Sequence, residues 1–171
     1  MMTSSDQTSA DSRLLRASAW AYLGGFVLHT GDHLRRGLGS VTPEVLWAGN
    51  ASGVLAIAAI ALVLVHHRLG PWVAAVMGLS AALGVAAVHL TPRWGSLSDS
   101  LPQGRVDALT WVAVLIEVGG ALAFGMAGAL GVHRQRHLVR NPPLRRVERA
   151  EPGPLEPGCP RTTRSPTSPI R

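Results

Sequence analysis

Residues 45–65, VLWAGNASGVLAIAAIALVLV, carry no charged side chain and one amide, Asn50. A helix rises 1.5 Å per residue, so a run of this length crosses a hydrocarbon core of about 30 Å. In hydrocarbon every backbone N–H and C=O needs an internal partner, which a helix supplies within itself. The residues before the run mark where it begins. Thr42-Pro43-Glu44 places a hydroxyl at the N-cap and a proline at the first helical position.

Three further stretches follow the same logic. The apolar segments 14–34, 71–90 and 108–132 are each bounded by residues that start or stop helices. Gly37 is the expected stop after the first, and Thr91-Pro92 ends the third. Asp107 is placed to cap the fourth. His66-His67-Arg68-Leu69-Gly70 makes a tight connection between the second and third. The pattern predicts an all-α fold, an antiparallel four-helix transmembrane bundle over residues 14–133. Disordered tails are expected at 1–13 and 134–171, because both lack apolar periodicity. Arg13 and Arg16 precede the first apolar run, as in a signal peptide, but the small-residue triplet Ala17-Ser18-Ala19 lies before that run, not after it. A retained anchor is expected. Trp20, Trp47, Trp72, Trp94 and Trp111 all fall near the ends of these segments, where indole prefers the membrane interface.

The net charge of +6 has a definite location. Residues 1–133 hold seven Arg and seven Asp or Glu, while residues 134–171 hold nine Arg and three Glu. A basic excess confined to a tail suits membrane topology and anionic lipid, and it speaks against a nucleic-acid groove. The single cysteine, Cys159, lies in that tail, so no intramolecular disulfide forms. With both termini cytoplasmic, the inner side gathers Arg13, Arg16, Arg68, Arg134, Arg136 and Arg140, against Arg35, Arg36, Arg93 and Arg105 outside. That imbalance predicts a multi-pass protein of the cytoplasmic membrane with both ends inside.

The polar residues of the apolar segments concentrate toward one end. His29, Asp32 and His33 fall on one helical face at spacings of three and four. His89 closes the third segment. Glu117 lies about 14 Å into the fourth, near the midplane, where a carboxylate must be paired, protonated or facing a polar cavity. Thr110, Val114 and Glu117 share a face of that helix. These residues are candidates for a metal or small-ligand site: His29, His33, His89 and Glu117 as ligands, and Asp32 orienting an imidazole from behind. Asn50, Asp107 and Thr110 are expected to support it. Zinc, iron and a haem held from two sides all suit histidine and carboxylate donors. The stretch His29-Thr30-Gly31-Asp32-His33 lacks the glutamate of the H-E-x-x-H motif, so metalloprotease chemistry is not expected and no reaction is named.

The run GDHLRRG, then VTPEVLWAGN, VHLTPRWGSLSDS and VDALTW with a mid-span glutamate, resembles small four-span integral membrane proteins of actinobacterial type that carry no assigned function. The resemblance covers about residues 14–133 and implies a membrane location. The function expected from the polar cluster itself is a metal- or ligand-binding membrane bundle with that cluster facing outward. The alternative is a non-catalytic accessory subunit that docks another membrane protein through Gly- and Ala-rich faces and touches anionic lipid with its Arg-rich tail. A homo-oligomer is the other expected assembly, and Gly49-Asn50-Ala51-Ser52-Gly53 is one surface suited to close packing.

Overall fold

Helix ends fall where the local chemistry puts them. In a computed structural model that describes residues 4–140, α1 spans Ser4–Arg36, α2 Pro43–Leu64, α3 Gly70–His89 and α4 Ala108–Arg140. A short 3₁₀ turn, Leu38–Ser40, follows α1, and no strand occurs among the described residues. Gly37 stops α1 with a left-handed φ of 88°, a conformation that costs glycine little. Thr42 caps α2 by accepting from the Val45 N–H at 3.3 Å. Asp107 caps α4 by accepting from the Thr110 N–H at 3.0 Å. The final carbonyls of α3 are met by the loop after it. Asp99 N–H donates to Val88 O at 3.0 Å, and Leu101 N–H donates to His89 O at 2.9 Å. Leu101, Ser98 and Ser100 are buried in consequence, so this loop folds over the end of the bundle.

Two expectations about the tails need correction. Residues 4–13 are helical and continue into α1, where a disordered segment was expected. Asp11 explains part of the difference: it pairs with Arg134, tying the start of α1 to the end of α4. Likewise α4 continues through residues 134–140, which the basic composition had assigned to the tail. The rest of that tail, 141–171 with Cys159, lies outside the described residues.

The four helices belong to one compact unit in which α4 is the centre, packing most extensively against α3 and α1. Its core is built largely of small side chains. Ala19, Ala56, Ala59, Ala74, Ala82 and Ala121 are buried with Tyr22 and Phe124, whose ring centroids lie 5.7 Å apart. Small residues let helix backbones approach closely and gain dispersion contact over long lengths. Gly25 shows how close. A Cβ there would sit 2.7 Å from Glu117 Cα.

Polarity is distributed in reverse of a water-soluble bundle. Trp47 is 76% exposed, and Val54, Leu55, Leu83, Leu115 and Met126 are also exposed, while His29, Asp32, His89, Thr110 and Glu117 are buried. Helices α2, α3 and α4 contain stretches long and apolar enough to cross a membrane. Helix α1 is not among them. Its run contains His29, Asp32 and His33, which face inward or toward the bundle end and lower its hydropathy.

Candidate metal centre

Three imidazoles meet where the ends of α1 and α3 come together. The ring centroids of His29 and His33 are 4.6 Å apart, those of His29 and His89 4.7 Å, and those of His33 and His89 5.6 Å. One nitrogen from each ring lies within 4.8 Å of the other two. His29 and His33 reach the same place because residues four apart share a helical face. His89 arrives from the last residue of α3.

Two of these rings are held from behind. His29 Nδ1 contacts Glu117 Oε2, and both side chains are buried. His89 Nδ1 lies 3.2 Å from the Asp99 backbone carbonyl and 3.5 Å from its carboxylate. A carboxylate or carbonyl accepts, so each Nδ1 donates, and in a neutral ring the lone pair is left on Nε2. His29 Nε2 is buried with no hydrogen-bond partner among the described residues. An orphaned buried acceptor is costly unless a ligand, an ion or a water completes it. This is the carboxylate–histidine arrangement that fixes the tautomer of metal-binding imidazoles.

His33 differs. Its Nδ1 faces Arg36 Nη2 at 3.1 Å, and a guanidinium only donates. Arg36 therefore occupies the Nδ1 lone pair of His33. It has other acceptors ready, Asp32 Oδ2 at 3.2 Å and Asp99 Oδ2 at 3.0 Å, so releasing His33 does not strand its charge.

Asp32 does not orient an imidazole as expected. Its buried carboxylate is taken by Arg35 Nη2 at 2.7 Å and by Arg36, because those residues sit three and four positions on, along the same face. The orienting role falls to Glu117 and Asp99. Glu117 is correspondingly not in the group whose ligand atoms converge; it stands behind His29. Thr110 is buried and Val114 with it, as their shared face with Glu117 required. Thr110 and Asp107 bind Arg35 at 3.3 and 3.0 Å, which anchors the end of α1 to the start of α4. Asn50 takes no part. It is exposed and donates to the Leu46 carbonyl of its own helix at 2.9 Å, as a polar side chain does when no partner is in reach. Asp99 and Arg36 are the participants the residue pattern missed, since a Ser-Asp-Ser turn and an arginine at a helix exit have commoner uses.

Charge around the site is uneven. Asp32, Asp99, Asp107 and Glu117 face two guanidiniums, Arg35 and Arg36. Haem fits poorly. Rings in contact at 4.7 Å leave no gap for a macrocycle between His29 and His89.

At the exposed mouth, the Thr110 N–H and then Arg35 hold the Asp107 carboxyl below the usual carboxylate range. A depressed folded pKa contributes stability above the ordinary value of about 3.9, and the contribution is lost as pH falls through the folded value. Asp107→Asn should therefore lower the melting temperature at pH 6, and the gap to the native chain should narrow toward pH 3. Circular-dichroism melts across that range check the sign; a gap that widens in acid contradicts it.

No family model, curated protein or solved structure matches the chain.

Proposed function

We propose that this chain is an integral protein of the cytoplasmic membrane that binds one divalent transition metal, zinc or iron, between His29, His33 and His89. The observation that carries the metal reading is the buried, unpartnered Nε2 of His29 beside two further imidazoles, with Glu117 bonded to its Nδ1. Three histidines leave a tetrahedral metal one open position, the arrangement of catalytic rather than structural zinc. Tetrahedral Zn–N bonds of about 2.0–2.1 Å put the nitrogens about 3.3 Å apart, so a pair at the 4.8 Å limit must draw in by about 1.5 Å. His33 supplies much of that movement, since it is only half-buried and its Nδ1 is held by a replaceable guanidinium.

The membrane reading is supported by the exposed apolar side chains of α2, α3 and α4 and by the burial of charge inside the bundle. In this reading α1 is the fourth span, its polar face turned toward α4. The Arg35–Asp107 and Arg134–Asp11 pairs support an antiparallel course for α1 and α4. The metal site then opens on the outer side, with both termini inside.

The test is metal content. The full chain, purified in detergent without a metal-affinity tag and dialysed against zinc, should hold about one ion per chain by elemental analysis, and cobalt in its place should give visible d–d bands. A chain that takes up neither ion overturns the metal reading. That result favours the accessory-subunit reading, in which exposed Gly49 and Ala51 on α2 offer a close-packing surface to another membrane protein.

A further inference from the structure

At the opposite end of α3 and α4 from the histidines, the two helices leave a groove between them. Trp72, Val76 and Leu79 line it from α3, and Val132, His133 and Arg136 from α4. The spacing is helical on both sides, so each helix contributes one continuous stripe. The eight steps of helix from Trp72 to Ser80 carry the groove about 12 Å along α3. Its walls are apolar along that length, and its mouth is not. The Arg136 guanidinium lies 4.7 Å above the Trp72 ring, with His133 one turn before it.

The mouth carries a guanidinium. Arg136 has no carboxylate partner among the described residues. Arg68, His66 and His67 lie in the link that leads into Trp72, and Arg134 and His137 flank Arg136. Asp11, a carboxylate at this end, is already paired with Arg134. A guanidinium over an indole face is held by the ring's quadrupole, and its planar fork of N–H donors matches two oxygens of a phosphate.

We propose that this groove binds an anionic phospholipid, with the phosphate at Arg136 and Trp72 and the upper part of one acyl chain along Val76, Leu79 and Val132. The site is separate from the metal centre and rests on the membrane reading alone. The ligand must carry both parts. A free phosphate leaves the apolar walls unused, and a zwitterionic lipid brings a choline cation to an already cationic mouth.

The experiment is native mass spectrometry of the full chain released from detergent, offered phosphatidylglycerol and phosphatidylcholine with identical acyl chains. The native chain should retain phosphatidylglycerol about tenfold more than phosphatidylcholine, because both offer Arg136 the same phosphate oxygens and only choline adds a like charge at the mouth. Arg136→Gln should bring the two lipids to near parity, and Arg136→Lys should fall between. Arg136 is exposed, so neither change disturbs the core. Equal retention by the native chain, or an unchanged preference in Arg136→Gln, overturns the proposal. Displacement of the lipid by millimolar inorganic phosphate alone overturns its lipid part and leaves an oxyanion site. Alkaline carbonate extraction of the same cells separates the two readings. A chain that stays in the membrane but shows no preference loses only the lipid site; a chain released by carbonate loses both.

Discussion

His29→Ala and His89→Ala chains are expected to bind zinc on the order of 100-fold or more weakly than the native chain, beyond the roughly 10–100-fold range of an outer-shell loss. Each substitution removes one of three converging donors, and a two-histidine remnant cannot hold the ion against water. Glu117 separates a metal site from a structural network. Glu117→Gln keeps an oxygen that accepts from His29 Nδ1 but loses the charge, so zinc affinity should fall by about 10–100-fold while folding is retained. Glu117→Ala should fall further, because His29 is then free to change tautomer. Asn50→Ala, distant and exposed, should bind as the native chain does. Isothermal titration in detergent, with circular dichroism as the folding check, reads all five variants. If the histidine variants bind zinc as tightly as Asn50→Ala while remaining folded, these three imidazoles are not the ligands.

The second large effect concerns Gly25, one turn before His29. Its missing Cβ leaves room for the backbone of α4, and a Cβ there would lie 2.7 Å from Glu117 Cα and 2.9 Å from Glu117 N. Backbone cannot swing aside as a side chain does, so α1 and α4 must part. Gly25→Val should cost about 1–3 kcal/mol or more of stability and should also weaken zinc binding, since the displaced pair includes Glu117 and His29. The neighbouring glycine provides the control. Gly24 has nothing within 4 Å of its Cβ position, so Gly24→Ala should be neutral or stabilising by up to about 1 kcal/mol through helix propensity. Thermal melts of the two variants side by side test whether close backbone approach, rather than glycine itself, matters. Equal melting temperatures would show that α1 and α4 do not meet at Gly25. Gly78 on α3 repeats the device: a Cβ there would lie 2.6 Å from Gly125 Cα and 2.7 Å from Ala121 O across the α3–α4 contact.

Much of this was legible because it is local. Thr42, Asp107 and Gly37 act on neighbours within four residues, so their capping and stopping roles follow from order along the chain. The cost of His29, His89 and Glu117 within apolar runs is likewise a property of each position, which is why they stood out as site candidates. The extent of α1 was less legible. Residues 4–13 have no apolar period, and the Asp11–Arg134 pair that helps hold them depends on where α4 ends.

By itself, the order of residues determined the helices, their approximate bounds and the small set of titratable groups that could not face hydrocarbon alone. Tertiary structure decided the partners. It gave Asp32 to Arg35 and Arg36, Glu117 to His29, Asp99 to His89, and left Asn50 outside. The physical reason is reach: a hydrophobic run or a cap is set within a turn of helix, whereas a hydrogen bond across 88 residues exists only once Gly25 has let two backbones touch.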